Sequence, residues 1–577
     1  MKFINPKIIT FIVVALVASA CMTLFPRNEF TKEIRYLDQG WSKEDRTLYY
    51  RTSQGTFTIP LAWMKALEQP GFGENDLLME PGFMSKMGFM YAGDNDMGLA
   101  KGLPIGFAVT NDPETNQPFI GFTCASCHTG QLNYKDPNTN EIKAIRIDGG
   151  ASMHALDKFR TVLITSIVET HTKLDQFERF AARILGDNAT HDNKVKLQQA
   201  LKNAVEKGFK TGLTEAIKDI YPVEEGYGRL DALQRISNTV FGYDLENIHN
   251  LRVGNGPVSY PHVWDINKLD WVQWNGSVRQ PMARNVGEAL GVFAKLNLVD
   301  EDKLFDSSVP VRNLYKIEET LKKLKAPQWP EDIWPLDMQK VAHGKKLFKK
   351  NCTSCHGEKV INGTDEWRVT MLSYDQIGTD PTAAKNFENY RVNSSKIGGP
   401  TEADQAFGLH FITEQVMQNR YKAESVTPYE RPKFDGNGRR NLVRAPCGYK
   451  ARPLHGIWAT APFLHNGSIP NLYELLSPQN QRSRTFDVGS YMFDPVKIGY
   501  KTNVRNVTRF DVTKQGSSNK GHIFDDAPGA IGSKLTEEER FAIIEFLKSY
   551  KYGDLETEIV SRQRTYPCSN TNKIYGG

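Results

Sequence analysis

Cysteine and histidine recur in one arrangement twice, as CASCH at residues 124–128 and CTSCH at residues 352–356. Two thiols three residues apart can add across the two vinyl groups of a haem, and the histidine behind them then reaches the iron as an axial ligand. A zinc ribbon or a thioredoxin-like dithiol would use the same cysteines differently. Zinc would need two further ligands for each pair, or both pairs in one site, and would leave the adjoining histidine unexplained twice. The pattern therefore predicts two covalently bound c-type haems. Cys124 and Cys127 attach the first and Cys352 and Cys355 the second, with His128 and His356 as the proximal iron ligands.

Function then turns on the other face of each iron, because a strong sixth ligand makes an electron carrier while an open face admits dioxygen or peroxide. Of the 12 histidines, His171, His191, His249 and His522 stand in polar stretches and read as surface residues. His465 differs: in KARPLHGIWATAPFLHNGSIPNLYELL, Pro462, Pro470 and the Asn466-Gly467 turn hold a short loop among Trp458 and Phe463. That loop suits a second ligand to the haem at His356. His455, Met417 and Met492 are the alternatives, and His154 or Met153 could supply a sixth ligand to the first haem.

Helices and linkers must deliver these residues. Before the second motif a Pro/Trp-rich linker gives way at Leu336 to an amphipathic stretch with Val341, Leu347 and Phe348 on its apolar side. Near the end, Thr536 and Glu539 stand at capping-box spacing ahead of Phe541, Ile544 and Leu547 at helical intervals. A helix entering the haem motif and another closing the unit resemble the cytochrome c fold. Residues 151–241 carry helical stripes such as Leu156, Phe159, Leu163 and Ile167, and read as a helical insertion covering the first haem unit. Residues 481–528 are polar and rich in Gly, Asn and Asp, which predicts long loops. The expected fold is mainly α: two cytochrome c-like haem domains, residues 26–325 with the insertion and residues 326–577, behind a leader at 1–25.

The leader places Lys2 and Lys7 ahead of an apolar run from Ile8 to Ala20, the layout of a secretory signal. Three fates fit it: cleavage after Ala18-Ser19-Ala20, lipidation of Cys21, or retention as a membrane anchor. Each exports the remainder, to the periplasm or to a membrane facing it in a bacterium. In that oxidising compartment the leftover pair, Cys447 and Cys568, is suited to a disulfide. The chain of 577 residues carries a formal charge of only +5, without a block of like charge, so nucleic acid is not an expected partner.

The segment ARPLHGIWATAPFLHNGS resembles the C-terminal haem signature of bacterial di-haem cytochrome c peroxidases and their relatives. LPIGFAV, GFTCASCHTGQLNY and IRIDGGASMHALDKF, with the stretch from Leu37 to Pro70, resemble the di-haem rubber oxygenase branch. The resemblance implies that His356 and His465 together hold the C-terminal haem, and that the haem at His128 keeps one face for dioxygen. Likeness to the peroxidases also implies calcium between the domains. The segment from Pro261 to Leu296 joins the halves. Its Trp264, Trp271 and Trp274 could line a route between haems, and Leu290 or Phe293 an apolar distal pocket. Arg146, Arg284 and Arg452 are candidates to neutralise haem propionates, since the guanidinium fork pairs well with carboxylates.

Two function classes follow. In the first, an oxidoreductase activates dioxygen or hydrogen peroxide at His128 and relays electrons through the second haem, with a redox protein or an apolar organic compound as the other substrate. The second is a non-catalytic periplasmic electron carrier, or the cytochrome subunit of a dehydrogenase. Two small cytochrome units need about 200 residues. The surplus favours the enzyme.

Overall fold

The computed structural model describes residues 31, 33–71, 76–92, 102–112, 115–208, 219–504, 508–562 and 573–576. The leader, Cys21 and Cys568 lie outside them. The chain is 39% helical and 16% strand, so the expectation of a mainly α protein is corrected to a mixed one.

Much of the unexpected strand surrounds the first haem motif. Ile59–Pro60, Pro118–Phe122 and Phe107–Asn111 form one antiparallel sheet with Pro118–Phe122 in the middle. Thr129–Lys135 and Ile142–Asp148 pair antiparallel, and Ile34–Tyr36 adds in parallel to the second of them. The CASCH turn is therefore strung between two sheets, entering from Phe122 and leaving at Thr129. Gly106 lies against this turn with φ +84°, and a Cβ there would stand 2.2 Å from the Ser126 backbone nitrogen. Only glycine meets both the positive φ and the close approach.

The expected helical block is present as Leu156–Thr172, Leu174–Leu185 and His191–Gly208. Phe159, Leu163, Phe177, Phe180 and Leu201 carry it into a hydrophobic cluster of its own, together with Trp63, Met64 and Phe107. The continuation expected through Phe209, Leu213 and Ile217 falls outside the described residues. A larger cluster draws on both sides of residue 325, from Leu37 and Trp264 to Phe348 and Phe546. Residues 481–528 are not loop alone: Thr485–Val488 pairs with Thr508–Asp511, and Phe493–Asp494 with Gly499–Tyr500.

In the C-terminal half, Asp337 caps the helix Met338–Asn351 by accepting from the Gln339 and Lys340 backbone N–H groups. Thr536 and Glu539 form the expected capping box on the helix Glu537–Ser549. The two helices cross at Gly344, where a Cβ would come 1.9 Å from the Ala542 carbonyl oxygen. Beside the crossing the Phe348 ring packs on Phe546 at 5.3 Å and Tyr550 at 5.5 Å between centroids. Gly344→Ala would force the helices apart and cost about 1–3 kcal/mol, read as a lowered urea midpoint with an unchanged slope. Among the described residues no helix is long and apolar enough to cross a membrane.

Candidate functional site

Each CxxCH turn lines a cavity. The N-terminal one is lined by Cys124, Cys127 and His128. The C-terminal one is lined by Cys352, Cys355 and His356. None of these four cysteines is in a disulfide, while Cys447 is disulfide-bonded. The expected partner of Cys447, Cys568, lies outside the described residues.

Both proximal histidines are held the same way. His128 Nδ1 lies 2.7 Å from the Pro261 carbonyl oxygen and His356 Nδ1 lies 2.9 Å from that of Arg452. A ring that donates from Nδ1 keeps its Nε2 lone pair for a metal, and the donated hydrogen bond raises its basicity as a ligand. Burial pushes His128 down to about 4 and lowers His356 as well, so both rings are neutral and fit to bind iron. The thiols, histidines and apolar cavities together suit a covalently bound haem.

In the C-terminal cavity the His356 ring meets that of His522, 6.3 Å away between centroids and tilted by 59°. Two imidazoles bound to one metal from opposite sides, at about 2.0–2.1 Å per metal–nitrogen bond, would place their centres about 6.4 Å apart. His522 was expected at the surface, but it lines the cavity, and its Nδ1 is buried without a hydrogen-bond partner. Its backbone has φ +49°, a conformation that needs support from its surroundings. Arg482 provides that support, donating from Nη2 to the His522 carbonyl and from Nη1 to the Gly521 carbonyl, both at 2.8 Å. The His522 N–H in turn donates to the Ile377 carbonyl at 2.8 Å.

His465, expected to be that ligand, lines the same cavity but shows no ring contact with His356 among the described residues. Its ring stacks on Tyr449 at 3.8 Å, and it hydrogen-bonds to the backbone of Asp380, to which Tyr449 also donates. His455 pairs with Glu358 at 3.0 Å. Met417 is core, and Met492 bridges to the strand at Asn133.

In the N-terminal cavity no second histidine ring is set against His128 among the described residues. His154 reaches this cavity but stacks between Phe89 and Tyr260 at 5.1 and 5.0 Å, with Nδ1 3.1 Å from Ser152 Oγ. Met153 is buried in the core. The helix Pro281–Gly291 gives the cavity Arg284, Asn285 and Glu288, while Met282, Val286 and Leu290 face the core. Leu290 and Phe293 therefore do not form the expected apolar pocket. Arg284 pairs with Glu318, Gln273 donates to Glu288 at 3.0 Å, and Gln54 sits against Cys124. Burial pushes Glu288 above the ordinary carboxylate range, against the pull of Arg284 and Gln273. Periodicity held the signal for these residues: Arg284 and Glu288 are one turn apart, a polar stripe on an otherwise apolar helix.

The two cavities share a wall formed by Ser259 to His262, Trp274, Lys450 and Arg452. Arg452 donates from both terminal guanidinium nitrogens to the His262 carbonyl at 3.2 and 3.3 Å. The carbonyl holding His128 and the residue holding His356 are thus joined within one wall. Of the three tryptophans only Trp274 lines it. Trp264 stacks on His262 at 4.2 Å, and Trp271 lies under the Arg444 guanidinium. Arg284 and Arg452 line cavities, but Arg146 is turned to Gln131 at 2.8 Å and the Tyr91 carbonyl at 3.1 Å. No group of three or more His, Cys, Asp or Glu that could hold a metal ion occurs among the described residues.

An attachment turn, a carbonyl-anchored histidine and a pair of crossing helices define a c-type cytochrome, and residues 341–419 match the cytochrome c family. Residues 448–487 match the family described as RoxA-like, cytochrome c-like. The protein y4iJ of Sinorhizobium fredii, itself uncharacterized, is 36% identical over 572 residues, covering 90% of this chain and 93% of its own. A second uncharacterized protein of that organism, y4iM, is 30% identical over 274 residues, 45% of this chain and 56% of its own. The chain belongs to the same family as y4iJ, and its C-terminal half carries segments similar to cytochrome c and to RoxA-like cytochrome c.

Proposed function

We propose that the chain is an exported oxidoreductase with two c-type haems, in which the centre at His128 acts on hydrogen peroxide and the centre at His356 and His522 relays electrons. The observation that carries this reading is the asymmetry of the two cavities. One sets a second imidazole against its proximal histidine, and the other offers a protonatable carboxyl, Glu288, beside Arg284. A positioned acid–base group aids cleavage of an O–O bond, and Glu288 supplies one within a largely apolar lining.

Haem held by Cys124, Cys127 and His128 would supply the redox chemistry, with the two electrons drawn from an external redox donor. This chain's groups do the rest. His128, fixed by Pro261, orients the proximal side. The Glu288 carboxylate would accept a proton from one peroxide oxygen and return it to the other, which leaves as water. Gln273 holds that carboxylate by donating to it, and Arg284 favours its charged form. Two electrons and two protons complete the reduction of one peroxide to two waters.

The carrier-only reading requires a sixth ligand at His128, and His154 is the residue at hand; its packing between Phe89 and Tyr260 speaks against that. Electron paramagnetic resonance of the purified holoprotein, oxidised and half-reduced, tests the proposal. A high-spin haem beside a low-spin one is expected in one of the two states. Two low-spin haems in both would overturn it. Export is tested by fractionating cells that express the full chain.

A further inference from the structure

The helix Met338–Asn351 carries a charged face that the relay reading leaves unexplained. Lys346, Lys349 and Lys350 are exposed and Lys345 is half-buried. At about 100° per residue the four fall within an arc of about 140°, opposite the side on which Gly344 and Phe348 are packed. None of the four ammonium groups is paired with a described residue, whereas Lys340, outside the arc, pairs with Asp337 at 2.9 Å. Cations in a last turn offset the helix dipole, which accounts for Lys349 and Lys350. Lys345 and Lys346 stand a turn earlier.

The lysine run leads straight into the second attachment turn. Asn351 and Ser354 line the C-terminal cavity, and Ser354 is exposed. At the N-terminal motif the equivalent Ala125 and Ser126 are 0% and 4% exposed. Only the C-terminal centre therefore combines an attachment turn at the surface with uncompensated positive charge beside it.

We propose that this lysine face is the docking surface of a small acidic redox protein that exchanges single electrons with the haem at His356. The inference rests on the reading of that centre as the relay. Complementary charge selects the partner: carboxylates would neutralise four unpaired cations and speed encounter, and their screening by salt marks the contact. In the exchange the partner's reduced cofactor loses one electron and the ferric centre becomes ferrous, with no bond made or broken. A protein is favoured over an anionic lipid surface because the charge sits at the edge of a redox centre, where a lipid headgroup has nothing to transfer.

The test is stopped-flow reduction of the holoprotein by reduced flavodoxin, used as an acidic probe. The second-order rate constant is expected to fall about tenfold or more between about 20 and about 300 mM salt. Replacing Lys345, Lys346, Lys349 and Lys350 together with glutamate should slow reduction about tenfold at low salt and reverse the salt slope. The same lysines changed to glutamine should fall between. Reduction by ascorbate and the visible spectrum should be the same in all three proteins, which shows that the haems and fold are intact. Equal flavodoxin rates in the variants, or a rate indifferent to salt, would overturn the proposal. So would unchanged flavodoxin kinetics with lost binding to phosphatidylglycerol vesicles, which would assign the face to a membrane. Failure of the relay reading is distinguishable, because a His356 centre that is not low-spin shows in the oxidised spectrum before flavodoxin is added.

Discussion

His522→Ala converts the haem held by His356 from low-spin to high-spin, and added imidazole restores the low-spin signal. The expectation follows from the 6.3 Å between the two ring centres and from the unpartnered Nδ1 of His522. Removing the side chain opens a space of one imidazole inside the cavity, which the free ligand can refill. His465→Ala should leave the spin state alone and act through packing instead, since its ring lies 3.8 Å from Tyr449. Its cost is about 2–4 kcal/mol, on the scale of other buried truncations. Paramagnetic resonance of the two variants separates the assignments: a high-spin His465→Ala protein beside a low-spin His522→Ala protein would return the ligand to the loop that sequence favoured. Arg482→Ala should imitate His522→Ala in part, by releasing the carbonyls of Gly521 and His522.

Glu288→Gln lowers kcat/KM for hydrogen peroxide by about 10²–10⁴, the usual contribution of a positioned acid–base group. Glutamine keeps the shape and the hydrogen bond to Gln273 but cannot carry the proton. The pH profile identifies the role. Glu288 must be ionised to accept the first proton, so activity rises with pH as the carboxyl deprotonates. Burial raises its pKa, so this acid limb lies above the ordinary carboxylate range. Activity is full above that raised value and lost below it. In the glutamine variant the limb should disappear while both haem spectra persist. Unchanged peroxide kinetics would remove Glu288 from the mechanism and return the N-terminal cavity to an oxygenase or carrier reading.

The parts of this molecule written in local sequence were the easiest to read. The two CxxCH turns, the capping box at Thr536 and the helices Met338–Asn351 and Glu537–Ser549 each depend on residues a few positions apart, and each appears where the spacing predicts. The strands around residues 107–148 were missed because short strands such as Pro118–Phe122 depend on partners elsewhere in the chain. His522 was missed for a related reason. Its surroundings, NKGHIFDD, are polar, and only a distant arginine and the carbonyl of Ile377 turn it inward. The aliphatic text after Glu288 was read only in part: Val292 lines the N-terminal cavity, while Leu290 packs the core and Arg284 and Glu288 add a polar stripe to the lining.

The partition between the cavities also bears on whether this chain can be divided. Ser259 to His262 and Trp274, all ahead of residue 325, close part of the C-terminal cavity, while Lys450 and Arg452, well beyond it, close part of the N-terminal one. A gene cut at the linker would give two fragments that each keep a haem attachment turn but lack a side of its chamber. Neither fragment alone would reproduce the spectrum of its own centre. Mixing them should recover both spectra together, because the missing sides are exchanged in one docking event.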